Sequence, residues 1–453
     1  MSRFGNLIRT SSNLHSLLGN LVFAGFSMVL FLILARYTDK ELYGRWVIFI
    51  TALGLLDMFR VGLTGTGAIR SISITDGHEQ EVVVGTSYNL SIITTLVVSA
   101  FFLPAFFILQ PYADDNYYLP VLLFYPVCAF ASLPHMQATN YGQGILNFRN
   151  VMIIRGAVGF FNLLFIGLYI YYYDETLTGI ILMYSLSDLV VSLFTMVMRW
   201  DGLRYLRHMK KEVLKNLLRF GKYSTATSIG SSLLRSSDTF IISLSAVMGA
   251  QAVAIYAIPM KFVELIEIPL RSFAATAFPK LSAGFQDTTN RFARDFSVYL
   301  GYSVVFLIPV FLIIPFTAEW ILLFFGGNQY MDALDTQKNI LFIIAFYILL
   351  LPFDRFIGVG LMAIDKPELN FYKLLIMLVC NIGFNLLAVF VFQSLEMVAL
   401  ATILFTATGI LTGWNMLAQH SKISFSETFR LLLLNLREQQ TRLLSRLYNH
   451  RNQ

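Results

Sequence analysis

The sequence predicts an all-α polytopic membrane protein of twelve transmembrane helices in two six-helix lobes. Three observations carry that expectation. Of 453 residues, 56% are hydrophobic and only 13% charged, against roughly 25% charged in a soluble domain. Twelve apolar runs, each long enough to cross a bilayer, lie near 13–35, 44–69, 82–109, 118–139, 151–173, 177–198, 223–247, 252–277, 296–316, 334–362, 372–392 and 397–418. The basic residues gather in alternate loops.

The loop bias sets the topology. A cytoplasmic N-terminus leaves only Arg36, Lys40, Arg45 and Lys338 on the far side, and Arg60, Arg235, Lys261, Arg271 and Arg355 within spans. The other 24 of the 33 Lys and Arg then face the cytoplasm or its membrane edge, as the positive-inside rule requires. Both termini are therefore expected in the cytoplasm. The basic, polar start leads into an apolar run without a small-residue cleavage site, which reads as a retained first span. Cys128 and Cys380 sit in apolar runs and imply no disulfide framework. The net charge of +6 is a topology signal and points to no nucleic-acid partner.

Organisation along the chain follows from charge. Residues 1–198 form an N-terminal six-helix lobe, 199–222 a basic cytoplasmic linker, 223–420 a C-terminal lobe and 421–453 a cytoplasmic tail. The linker holds Arg204, Arg207, Lys210, Lys211, Lys215, Arg219 and Lys222 and suits an anchor on anionic lipid. The tail alternates leucines with Arg430, Arg437, Arg442 and Arg446, the pattern of amphipathic helices on the inner leaflet or of a docking surface for a partner enzyme.

The lobes look like weak repeats. Arg60 and Arg271 stand 211 residues apart, and a Leu-Asn-Phe ending at Phe148 returns at Phe371, 223 residues on. An even number of spans gives both lobes the same orientation, related by an axis along the membrane normal. Prolines punctuate the spans, and Pro259 and Pro269 predict a bend in the eighth.

No enzyme motif stands out. The chain lacks a Walker A loop, HExxH, paired CxxC and GxSxG. Asp114-Asp115 reads as a solvated turn in a short external loop, and the longer external loop near 317–333 contains Gly326-Gly-Asn328 but no acid/base pair. These features argue against catalysis, and no ATP or metal site is expected.

The chemistry lies in charges inside spans. Asp57 and Arg60 are one turn apart in the second, and Arg235 and Asp238 repeat that spacing in the seventh. The sixth carries Asp188, and the tenth carries adjacent Asp354 and Arg355. In the eighth, Lys261, Glu264, Glu267 and Arg271 fall within a stripe about 120° wide that rises about 15 Å. Charge at that depth is costly and faces a wet cavity or a partner. Paired charges that lock helices together are the plainer account, because i,i+3 neighbours can pair. So many charges would make a poor dry core, so a water-filled cavity between the lobes is favoured. Arg60, Arg235, Lys261, Arg271 and Arg355 are the candidate ligands of an anionic substrate. Asp57, Asp238, Glu264, Glu267 and Asp354 are the candidate coupling carboxylates for H⁺ or Na⁺. Tyr256, Phe262 and Phe273 could stack on sugar faces.

Ordered motifs give a resemblance. Leu34-Ala-Arg36 is followed by Glu41-Leu-Tyr-Gly44, and Phe220-Gly-Lys-Tyr223 opens the second lobe. Ser237-Asp-Thr-Phe-Ile-Ile242, Ile255-Tyr-Ala-Ile-Pro259 and Ala277-Phe-Pro-Lys-Leu-Ser282 follow. As a set they make the chain resemble the Wzx-type O-antigen and capsule oligosaccharide-lipid flippases. These share a superfamily with multidrug/cation antiporters and lipid II flippases. The resemblance implies a V-shaped, alternating-access transporter in a bacterial inner membrane. Its implied cargo is an undecaprenyl-pyrophosphate-linked oligosaccharide. The implied partners are that lipid-linked glycan, membrane lipid, a polysaccharide polymerase and a chain-length regulator. A cation-coupled drug exporter of the same superfamily is the alternative; it predicts a cavity rich in acids and aromatics, and the five interior cations count against it.

Overall fold

The computed structural model describes residues 3–112, 116–286, 291–421, 423 and 430. Among these residues there is no strand, and twelve α-helices follow one another. They are α1 (Arg3–Tyr37), α2 (Lys40–Ser73), α3 (Gly77–Leu109), α4 (Leu119–Gly144), α5 (Phe148–Tyr172) and α6 (Leu177–Val197). After a short 3₁₀ strap, Leu203–His208, come α7 (Lys211–Ser243), α8 (Gly249–Gln286), α9 (Arg291–Gly326), α10 (Leu334–Ala363), α11 (Pro367–Leu386) and α12 (Leu395–Ser421). Among the described residues, ten of the twelve are long and apolar enough to cross a membrane, which makes this a multi-pass membrane protein.

The exceptions are α7 and α8. Both expected spans do form helices, but Arg235 and Asp238 interrupt the first, and Lys261, Glu264, Glu267 and Arg271 the second. The helices start where the backbone finds a cap. Asp39 accepts from the N–H groups of Glu41 and Leu42 at 3.0 and 3.3 Å, Asn147 from Asn150 at 3.3 Å, and Thr176 from Gly179 at 3.1 Å.

The chain divides into two compact units. One comprises the residues up to Thr239 together with Gly249–Ala254; the other comprises Phe240–Met248 and the chain from Ile255 onward. In the first unit α4 packs on α3, α5 and α6, and α5 on α6. In the second, α10 packs on α9, α11 and α12, and α11 on α12. The neighbour pattern thus repeats with a step of six helices.

The turn before α5 recurs before α11. Ile145, Leu146 and Asn147 donate their N–H groups to Tyr141, Gln143 and Gly142; Ile364, Asp365 and Lys366 donate to Gly360, Met362 and Leu361. Leu146 and Asp365 both take φ +59°. These are helix-terminating turns in which a left-handed residue lets the next N–H reach back to free carbonyls. Phe148 and Pro367 open the two following helices 219 residues apart. The repeated Leu-Asn-Phe, 223 residues apart, is therefore four residues out of structural register.

Two other expectations change. The stretch 317–333 is not an open loop, because its apolar run continues α9 to Gly326 and a 3₁₀ turn covers Asn328–Ala333. Asp114 and Asp115 lie outside the described residues, as does the expected amphipathic tail apart from Ser421, Ile423 and Arg430.

Candidate functional site

In the first unit a polar cluster is assembled from α2, α4 and α6. Arg60, only 2% exposed, donates to Asp57 at 2.7 Å, to Ser132 Oγ at 2.9 Å, to the Met136 sulfur at 3.1 Å and to the carbonyl of Ala129. The Asp57–Arg60 pair is the i,i+3 pair foreseen from the sequence. His135 on α4 faces Asp188 on α6, with Nε2 3.4 Å from Oδ1. That nitrogen is at ion-pair distance but lacks hydrogen-bond alignment. The backbone N–H of His135 donates to Ser192 Oγ at 3.3 Å, and Ser192 in turn donates to the Ala131 carbonyl. Asp188 and His135 both lie close enough to Asp57 to act on its charge.

With both carboxylates ionised, Asp57, Asp188 and Arg60 carry a formal charge of −1. Arg60 itself is consumed by four acceptors, so its guanidinium is a strut of this cluster.

In the second unit the charged residues of α8 pair with one another. Lys261 Nζ lies 2.7 Å from Glu264 Oε2, and Arg271 2.6 Å from Glu267 Oε2. Arg355 on α10 reaches the same Glu267 oxygen at 3.6 Å. Glu267 is the more enclosed partner, with 13% of its side chain exposed against 45% for Arg271 and 37% for Arg355. Beside this group Asp354 binds Lys373 of α11 at 2.6 Å. Lys373 is buried, and its stem runs over Gly413 of α12.

Of the candidates on α7, Asp238 is buried, whereas Arg235 is exposed. Tyr256 is buried and its hydroxyl lies 3.4 Å from Thr402, which makes it a packing residue; Phe273 is more open.

Periodicity does not single out two residues of these clusters. His135 is not a permanent charge, so a search for Lys, Arg, Asp and Glu within spans does not find it. The positive-inside pattern places Lys373 at the cytoplasmic edge, yet it is enclosed by α10, α11 and α12. The 219-residue turn register supplies the missing signal. It places His135 and Asp354 at equivalent positions of α4 and α10, so each unit carries an ionisable side chain at the same point.

The family model described as polysaccharide biosynthesis protein matches residues 12–285, more than half of the chain. The chain belongs to that family. No curated protein sequence matches it significantly. Solved structures share the fold. An inward-facing multidrug resistance MATE family transporter of the MOP superfamily superposes with TM-score 0.73 at 18% identity, covering 90% of this chain and 96% of that one. The outward-facing conformation of a MATE family transporter gives 0.62 at 16% identity over 90% and 94%. A MOP superfamily transporter from Pyrococcus furiosus gives 0.63 at 16% identity over 89% and 94%; it is described as having a binding pocket of reverse polarity. This polysaccharide biosynthesis family member therefore has the fold of MOP-superfamily transporters.

Proposed function

We propose that this family member is a flippase. It carries an undecaprenyl-pyrophosphate-linked oligosaccharide, such as an O-antigen repeat unit, from the cytoplasmic to the outer leaflet of a bacterial inner membrane. The family description supports the polysaccharide assignment. The observation that carries the mechanism is the sharing of Glu267 by Arg271 and Arg355. Two guanidiniums that converge on one carboxylate can converge on a pyrophosphate in its place, with donors arranged for paired contacts. Both arginines are part exposed and keep donors to spare. Glu267 then competes with the headgroup and promotes its release. Lys261, paired to Glu264, adds a third cation on the same helix stripe. Arg235, an exposed cation of α7, is a further candidate, while Arg60 acts indirectly through Asp57.

Coupling to H⁺ or Na⁺ is assigned to the carboxylates. Asp57, in the cluster with Asp188 and His135, is one candidate. Glu264, Glu267, Asp354 and the buried Asp238 are the further candidates. No ATP-binding motif supplies another energy source. A polymerase and a chain-length regulator are the expected partners of such a step.

The test is restoration of surface-glycan export in a strain lacking its own flippase. Lys261→Ala, Arg271→Ala and Arg355→Ala are expected to cut export at least tenfold. If these three and Arg235→Ala all export normally at wild-type protein levels, the cation reading is wrong. The second reading, a cation-coupled multidrug exporter, is favoured by the MATE-like fold and the acidic first-unit cluster. It predicts resistance to cationic dyes without any glycan phenotype.

A further inference from the structure

The strap that joins α6 to α7 is fastened along α3. Gly85 of α3 admits it, since a Cβ there would collide with the backbone carbonyl of Tyr205. Asn89 donates to the Leu206 carbonyl at 2.7 Å, and the Lys210 N–H donates to Thr86 Oγ1 at 3.2 Å. Beneath it Ala68, Ile72, Val83, Val84, Leu90 and Leu217 form a buried apolar cluster with Tyr205 packed against it.

At the open end of this seam three metal-ligating side chains meet. His78 and Glu81 share one face of the first turn of α3, and His208 closes the strap. His78 Nδ1 is 3.4 Å from Glu81 Oε2, and His208 Nδ1 is 3.8 Å from the same oxygen. All three ligand atoms lie within 4.8 Å of one another. The imidazoles meet edge to face, 5.3 Å between centroids. The Nδ1 atom of His208 is buried without a hydrogen-bond partner. A buried polar atom of that kind calls for a ligand.

We propose that His78, Glu81 and His208 form a binding site for a divalent transition-metal ion of the zinc class. Tetrahedral ligands at about 2.0–2.2 Å from zinc stand about 3.3–3.6 Å apart, so the 3.4 Å spacing of His78 and Glu81 already matches. The 3.8 Å spacing of His208 from Glu81 is slightly long, and a small rotation of His208 shortens it. Two imidazoles and one carboxylate suit a borderline ion such as Zn²⁺, whereas Mg²⁺ and Ca²⁺ favour all-oxygen sites. Three protein ligands leave a fourth position for water. The bound ion ties the strap to α3 immediately before α7 begins. The site is separate from the paired charges of the spans and does not depend on the transported substrate.

The experiment uses the full chain in detergent, purified without a polyhistidine tag and stripped of metal. Zn²⁺ binding is measured by equilibrium dialysis, and Co²⁺ binding by its visible absorption. The expected result is about one Zn²⁺ per chain, with affinity reduced at least tenfold by His78→Ala or His208→Ala and less by Glu81→Gln. Binding is unchanged by His420→Ala and is not displaced by excess Mg²⁺. Zn²⁺ should also raise the melting temperature of the wild type and leave that of His78→Ala/His208→Ala unmoved. Should the double variant melt too low to assay, the separate variants His78→Gln and His208→Gln carry the same comparison. Zinc binding that is absent from the wild type, or equal in wild type and both histidine variants, would overturn the site.

Discussion

Lys373 Nζ stands 2.6 Å from Asp354 Oδ1 and donates at 3.0 Å to the carbonyl oxygen of the same residue. One ammonium thus holds both the side chain and the backbone of Asp354 on α10. Removing it strands a carboxylate, whereas removing both charges does not. Lys373→Met is expected to destabilise the protein by about 3 kcal/mol. The double variant Lys373→Met/Asp354→Leu should recover most of that loss. Thermal unfolding in detergent reads both, and equal loss in single and double variants would contradict the pairing.

Arg60 uses the fork shape of its guanidinium on four acceptors from α2 and α4. Lysine keeps the charge but cannot span that set. Arg60→Lys should therefore cost about 2 kcal/mol, close to the loss from Arg60→Gln. In a double-mutant cycle with Asp57→Asn, the combined loss should fall short of the sum. Additive losses would mean the pair is not coupled.

Arg271 and Arg355 both reach Glu267, and on the proposed function Glu267 competes with the pyrophosphate for them. Glu267→Gln removes the competing charge-assisted bonds, worth about 1.5–3 kcal/mol each. The expected outcome is pyrophosphate-lipid binding about tenfold tighter or more, with slower net export. Tryptophan-quench titration and the glycan export assay separate the two effects. Unchanged affinity would show that Glu267 does not compete.

Asp201 lies in the turn after α6, buried, with Oδ1 accepting from the Leu203 N–H at 3.3 Å. Burial pushes its carboxyl above the usual aspartate range, while the turn N–H groups and the Tyr88 hydroxyl pull it partly back. The folded state therefore holds the proton more tightly than the unfolded one. Its contribution is fully present below the unfolded value and is lost as pH rises through the folded value. Stability should accordingly fall over that interval, and Asp201→Asn should flatten it. A melting curve series with the same slope in the variant would refute the assignment.

Gly85 sets the depth of the strap on α3. Gly85→Val should cost about 2 kcal/mol by overpacking. It should also speed tryptic cleavage among Arg204, Arg207, Lys210 and Lys211. Cleavage at the wild-type rate would show that the strap is held by other contacts.

The helical fold and most of the spans were legible because a bilayer demands long apolar runs, and such runs survive any detail of packing. The charged stripe of α8 was legible for the same reason, as an exception to the rule. What periodicity does not show is which carboxylate meets which cation across helices. Arg355 on Glu267 and Lys373 on Asp354 depend on α10 packing against its neighbours. The repeated Leu-Asn-Phe also sets the register four residues off. A three-residue identity carries less information than the left-handed turn at Leu146 and Asp365, which needs coordinates to be seen. His135 shows the cost of counting only permanently charged residues.

The pairing within α8 bears on how the protein is made. Lys261 with Glu264 and Arg271 with Glu267 are neighbours on one helix, so each pair can close as soon as that segment coils. A lone Lys, Arg or Asp at the centre of an inserting helix carries a penalty of about 2.5–3.5 kcal/mol. Local neutralisation lowers that toll before the ribosome has synthesised α10 and its Arg355. The insertion machinery thus receives a segment whose ionic partners arrived with it.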